Sequence, residues 1–241
     1  MSTYEGISEA RAAYLRKIRR RKIFVAATQF LILAGSIALW EILGRLKIID
    51  SFIMSQPSRI VKTFVHMLNN GLLLHIGVTC FETLIGFLLG AMIGTLIALI
   101  LWRSSFISRV MEPFLVVLNS LPKIALGPVI IIWVGAGSKA IIVVALAISL
   151  IVTVLEMLNG FLSTDSETIK MATSFGANRT QVFTKIVFPA NVGTLFNSLK
   201  VNIGLSLVGV IAGEFLVSKA GLGYLIVYGG QVFQMDLVMC S

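Results

Sequence analysis

The sequence predicts an all-α protein embedded in a membrane, and three observations carry that expectation. Hydrophobic residues make up 57% of the 241 positions and charged residues only 13%, where a soluble domain carries about 25% charged residues; mean hydropathy is +0.95. The apolar residues gather into runs of spanning length, and a helix needs roughly 20 such residues to cross a bilayer. Glycines recur at four-residue intervals within two of the runs, at Gly86, Gly90 and Gly94 and again at Gly209 and Gly213. That spacing leaves one helix face bare, so a second helix can approach closely.

The net charge of +9 is unevenly placed. Seven of the twenty basic residues are Arg11, Arg16, Lys17, Arg19, Arg20, Arg21 and Lys22, directly before an apolar run. A basic cluster there holds its end of the chain on the cytoplasmic side. A nucleic-acid-binding arm is the competing use of such a cluster, but membrane lipid, not nucleic acid, is the expected partner. A cleaved signal peptide does not fit, because the apolar run is too long and lacks a small-residue cleavage site. Residues 1–22 therefore read as a basic cytoplasmic segment and residues 23–241 as the transmembrane domain.

The first span is expected over Ile23 to Leu43. Arg45 to Ile76 is mixed: Gln56-Pro57-Ser58 leads into an amphipathic stretch through Ile60, Phe64 and Leu68, an external segment with an interfacial helix. A second span runs from about Ile76 to Trp102, with Arg103 and Arg109 in the following cytoplasmic turn. The third, about Val110 to Val134, is interrupted by Pro122, Lys123 and Pro128. Prolines withhold a backbone donor and kink helices, so this is either a bent packing helix or a broken helix lining a path. The fourth covers about Lys139 to Leu158 and the fifth Val192 to Val217. Four spans return the chain to the cytoplasm before Ser163.

Ser163 to Pro189 is the longest polar island between spans, and it reads as two short helices broken by a glycine. Thr164 and Glu167 have capping-box spacing, Gly176 stands where a left-handed C-terminal residue is needed, and Asn178 can cap the second helix, with Pro189 after its end. Val182, Phe183, Ile186 and Val187 share one face of that second helix. An amphipathic hairpin lying on the membrane surface is one use of this pattern.

The run MATSFGANRTQVFTKIVFPA, with Ala172, Gly176 and Pro189 in place, resembles the cytoplasmic coupling loop (the "EAA" loop) of ABC importer permeases. The motif's glutamate position is Lys170 here and its first alanine is Met171. Gly213-Glu214-Phe215, Ala220 to Leu225, and a Pro-Ser followed by a Gly-Leu-Leu-x-His run also resemble that family, over residues 55 to 240. The nitrate, sulfonate and taurine branch, which includes importers of thiamine-precursor pyrimidines, is the most similar.

The resemblance implies a type I-like permease bundle in a prokaryotic cell membrane, with five complete spans. A last span would begin near Asp236, and the few residues from Leu237 to Ser241 make a truncated sixth helix the expectation. It also implies a second copy of this chain, ABC ATPase subunits and an extracytoplasmic substrate-binding protein. ATP would be bound by the partner ATPase, with no cofactor or metal on this chain. Asp165, Lys170, Ala172, Gly176, Ala177 and Pro189 are the implied ATPase-coupling residues.

An ionisable side chain inside a span needs a reason, since insertion costs roughly 2.5 to 3.5 kcal/mol at mid-membrane. Glu82, Asn119, Pro122, Lys200 and Glu214 are the candidates for a translocation path. Helix-holding pairs are the other reading, including Glu214 with Lys219 and interhelical bonds from Asn119, Asn197 and Asn202. Gly135 to Ala140 mimics a dinucleotide or phosphate loop but lacks the required βαβ context and spacing, and is expected to be a turn. His66, His75, Cys80 and Cys240 have no ligand spacing, and no catalytic constellation is evident. A stand-alone secondary transporter or channel remains the alternative, although no inverted repeat is visible.

Overall fold

The computed structural model describes residues 9–241, with side chains from Tyr14 onward except that of Ser51. The start of the expected basic segment, residues 1–8, and the Arg11 side chain lie outside the described residues. The chain divides into two compact units, one reaching Val65 and the other running from His66 to Met239.

In the first unit, α1 (Glu9–Arg45) begins well before the apolar run, because the basic stretch continues the same helix; Arg16, Lys17 and Arg19 to Lys22 are exposed on it. Glu41 closes its far end. Its carboxylate accepts from Arg45 Nε at 2.7 Å, from the Ser58 N–H at 3.0 Å and from the Ser58 hydroxyl at 2.9 Å. α2 (Ser51–Met54) is capped by Asp50, which accepts from the Phe52 N–H at 2.9 Å. α3 (Pro57–Asn69) opens on a proline, whose missing donor is harmless at a first helical position, and is the expected amphipathic helix.

In the second unit, α4 (Leu72–Arg103) leads to α5 (Ser105–Ser120), a 3-10 turn (Lys123–Leu126), α6 (Gly127–Val134) and α7 (Ser138–Leu162). A hairpin of short helices then leads to α11 (Val192–Val217), α12 (Leu222–Gln231) and α13 (Met235–Cys240). Among the described residues four helices, namely α1, α4, α7 and α11, are long and apolar enough to cross a membrane. The third expected span is interrupted where its prolines predict, as a pair of helices, α5 and α6, bent by 89°. Pro122 explains the break: it offers no N–H, and the Lys123 ammonium donates to the Asn119 carbonyl and side-chain oxygen, both at 3.1 Å. Between α6 and α7 the Gly135-Ala136-Gly137 stretch is a turn, with φ of 89° and 117° at its two glycines.

The glycine ladders place α7 in the centre. A Cβ built on Gly86 would stand 2.9 Å from the Ala145 Cβ and one on Gly94 2.6 Å from the Thr153 Cβ, with Gly90 against Ser149 between them. Residue numbers of the facing pairs rise together along both helices, so α4 and α7 run parallel. On the opposite side Gly209 faces Ala145 and Gly213 faces Ile141, and there the numbers run in opposite directions. A parallel α4–α7 pair means the intervening α5–α6 segment carries the chain back to the end from which α4 started. The bent pair therefore returns the chain across the bundle despite its angle.

Candidate functional site

The hairpin between α7 and α11 is built locally, residue by residue. Its first helix, α8 (Ser166–Ser174), is capped by Asp165 rather than by Thr164. The Asp165 carboxylate accepts from the Glu167 and Thr168 N–H groups, both at 3.1 Å, and from the Thr168 hydroxyl at 2.6 Å. The Thr168 hydroxyl bond, followed by the two backbone bonds, holds its carboxyl below the usual aspartate range. Thr164 is used elsewhere, accepting from Asn191 Nδ2 at 2.8 Å, and Glu167 reaches forward to the Lys170 ammonium at 2.9 Å. These bonds explain why the expected capping box does not form.

α8 ends as expected. Gly176 adopts φ +86°, its N–H donates to the Thr173 carbonyl at 2.9 Å, and the Ala177 N–H donates to the Ala172 carbonyl at 3.1 Å. This pair of bonds is the Schellman closure. Asn178 then caps α9 (Arg179–Val182) reciprocally with Gln181, through bonds of 2.9 and 2.8 Å. A π-helical turn, Phe183–Val187, and α10 (Phe188–Ala190) continue the same rod. Pro189 therefore stands inside the last turn instead of after the helix. The wide turn brings Val182 and Val187, five residues apart, to one buried face.

That face does not wait for a partner; it packs on the chain's own helix ends. Val182 and Val187 join Ala98, Leu101, Val154, Met157 and Phe161 in one core cluster. Phe183 lies 5.3 Å from the rings of both Trp102 and Phe161, and the Arg179 guanidinium donates to the Arg103 carbonyl at the end of α4. What remains open is the connection: Phe175 is 86% exposed and Met171 57%. Lys170, Gly176 and Pro189 are exposed, whereas Ala172 and Ala177 are half-buried against the core.

At the other end of α7 the structure assembles a polar cluster. His75, Thr79 and Glu82 lie on one side of α4. The Glu214 carboxylate on α11 accepts from the Thr79 hydroxyl at 2.7 Å and from the Gly223 N–H at 2.6 Å. The Leu222 N–H donates to Thr79 Oγ1 at 2.8 Å and the Gly221 N–H to His75 Nδ1 at 3.0 Å. Tyr224 stacks on the His75 ring at 5.9 Å. Thr79, Glu82 and Glu214 are each 1% exposed. Neither Glu82 oxygen accepts a well-formed hydrogen bond, although the carboxyl faces Ser138 and Glu214.

The path candidates thus separate. Glu82 and Glu214 come together, Asn119 and Pro122 form the α5–α6 break, and Lys200 is exposed on α11 away from both groups. Glu214 is held by Thr79 and Gly223 rather than by Lys219. The expected interhelical asparagine bonds are not found among the described residues. Asn202 donates to Ser198 within its own helix, Asn119 binds Lys123, and Asn197 is exposed. His75 and Thr79 escaped the sequence reading as site residues, although their four-residue spacing, continued to Glu82, aligns them on one helix face.

Residues 86–240 match the family model described as the binding-protein-dependent transport system inner membrane component. A Bacillus subtilis protein named as a candidate aliphatic sulfonates transport permease, SsuC, is 25% identical over 237 residues, covering 98% of this chain and 86% of that one. The formylaminopyrimidine transport permease protein ThiX of Halalkalibacterium halodurans is 25% identical over 186 residues, covering 77% and 74%. The fold is similar to that of a chain of the MetNI methionine ABC transporter in inward-facing conformations. There the TM-score is 0.59 at 19% identity, over 70% of this chain and 87% of that chain.

Proposed function

This chain belongs to the family of binding-protein-dependent transport system inner membrane components and is a permease subunit of an ABC importer, and from that premise we propose that it couples to a separate ATPase through the 163–189 hairpin. The observation that carries this reading is the exposed tip of a hairpin whose apolar face is already used. Phe175 and Met171 stand open while the rods behind them are fixed to α4 and α7. In this division of labour Lys170, Met171 and Phe175 meet the ATPase. Asp165, Ala172, Gly176, Ala177 and Pro189 shape and anchor the hairpin that presents them. Arg103, Arg109, Lys170, Arg179 and Lys185 gather at that end of the bundle, which supports a cytoplasmic location for it. The basic start of α1 supports a cytoplasmic N-terminus on the same ground.

ATP is then bound and hydrolysed by the partner, and two copies of this chain form the path for a solute handed over by an extracytoplasmic binding protein. The solute proposed is a small anion of the sulfonate type, with a pyrimidine of the thiamine-precursor type as the other candidate. The anion is favoured by Lys200, an exposed cation in the α11 span. The test is purification of the tagged chain from native membranes in mild detergent, with mass spectrometry of what accompanies it. An ATPase subunit is expected, and it is lost in Phe175→Asp while the chain still inserts. Absence of an ATPase from the unaltered chain would refute the proposal.

A further inference from the structure

The first N–H groups of any helix have no partner within the helix. In α12 the residue before the helix is Gly221, which has no side chain to offer, and no residue of α12 caps its own start. Three successive donors are nevertheless satisfied, all from other helices. The Gly221 N–H goes to His75 and the Leu222 N–H to Thr79, both on α4, and the Gly223 N–H goes to Glu214 on α11. Thr79 joins the two supports, because its hydroxyl accepts from Leu222 while donating to Glu214.

The glycines are part of the same device. Gly221 has φ +118°, and any Cβ there would meet the Glu214 carboxyl; a Cβ on Gly223 would stand 2.7 Å from the Glu214 Cβ. The carboxylate therefore enters the first turn of α12 only because both positions lack side chains. Its carboxyl oxygens also lie at the positive end of the α12 dipole.

We propose that His75, Thr79 and Glu214 are positioning residues for transport. They cap α12 from two separate helices and hold it at the end of the bundle opposite the 163–189 hairpin. Thr79 and Glu214 are not solute ligands, because both are buried and both carboxylate oxygens of Glu214 are already taken, and the partly buried His75 spends its Nδ1 on the Gly221 N–H. α11 has 26 residues, so at 1.5 Å per residue the cap lies on the order of 35 Å from the hairpin. Loss of the cap should therefore release α12 while leaving ATPase docking in place. This inference rests on the permease reading only for its transport consequence.

The experiment compares Thr79→Val, which keeps the shape of the side chain and removes its hydrogen bonds, with Thr79→Ser, which keeps the hydroxyl. Glu214→Gln is the second disrupting variant, leaving one acceptor oxygen. Amide exchange in the full chain in detergent reads the cap without any partner. Exchange at Leu222 and Gly223 is expected to rise at least about tenfold in Thr79→Val and at Gly223 in Glu214→Gln, with Thr79→Ser within about twofold of the unaltered chain.

Uptake of labelled ethanesulfonate by the reconstituted complex reads the consequence. Thr79→Val should lose at least about tenfold in uptake at unchanged ATP hydrolysis, and Thr79→Ser should restore it. Unchanged exchange in both disrupting variants would overturn the cap, and unchanged uptake despite raised exchange would overturn its positioning role. Failure of Thr79→Ser to rescue would reduce the site to packing and also overturn the proposal. If the unaltered complex imports no ethanesulfonate, the solute reading fails, and the exchange arm still decides the cap.

Discussion

Gly209→Ala separates close helix packing from helix propensity within a single element. A methyl group at Gly209 would stand 2.6 Å from the Cα of Ala145 and 3.3 Å from its backbone nitrogen. Carbon atoms pack at about 3.5 to 4.0 Å, so α7 and α11 must part by about 1 Å at their tightest crossing. Backbone cannot rotate out of the way as a side chain can. Overpacking of this kind costs about 1–3 kcal/mol. Alanine also favours a helix over glycine by roughly 1 kcal/mol, which would mask part of that cost. Gly204→Ala removes the ambiguity, because Gly204 lies on the same helix with nothing within 4 Å of its built Cβ. The difference between the two variants is then the clash alone. At roughly 2–4 °C per kcal/mol for a chain of this size, Gly209→Ala should melt about 2–12 °C below Gly204→Ala in detergent. Gly213→Ala, whose Cβ would lie 3.1 Å from the Ile141 Cα, should fall between them. A Gly209→Ala protein that melts level with or above Gly204→Ala would refute the central placement of α7.

Three further outcomes are expected. Gly176→Val forces a β-branched residue to φ +86°, at about 1–2 kcal/mol. It should loosen the hairpin and abolish ATPase co-purification with normal insertion, while Gly176→Asn retains it; equal retention by both would speak against the left-handed closure. Because the folded Asp165 carboxyl is held below its ordinary value, its contribution to the cap is complete above about pH 4 and is lost only as pH falls through the lower folded value. Amide exchange at Glu167 and Thr168, corrected for intrinsic rates, should be flat near neutrality and rise in acid, and Asp165→Asn should remove that acid response; a response centred near neutral pH would contradict the assignment. Glu82→Gln replaces a buried carboxyl that makes no hydrogen bond with an amide that can turn one N–H toward Glu214, so thermal stability should rise by about 1–3 kcal/mol; a lowered melting temperature would show that the carboxyl itself is required.

Much of the architecture was legible because it rests on short-range rules. Composition and run length alone place the chain in a membrane, and α11 spans the expected Val192 to Val217. Gly176 and Asn178 announce a helix end and a helix start because left-handed backbone and side-chain capping are local requirements. The sequence pattern points to Thr164 as the hairpin's first cap, one residue before the Asp165 that fills the role. Thr164, Asp165 and Glu167 all offer capping chemistry, and the choice among them depended on Asn191, 27 residues from Thr164.

By itself the sequence determined that helices with bare glycine faces lie in a bilayer and that a polar hairpin interrupts them. Residue type, periodicity and run length suffice for those conclusions. Only the tertiary structure decided which helix enters the bare faces and how sharply α5 and α6 bend at the break that Pro122 announces. It also turned the hairpin's apolar face inward, leaving Phe175 outside. It brought His75 and Thr79 to a helix start more than 140 residues away. The physical reason is the same in each case: a backbone donor accepts any well-placed acceptor, and an apolar face any apolar surface. Sequence supplies the unsatisfied groups, and packing in three dimensions selects their partners.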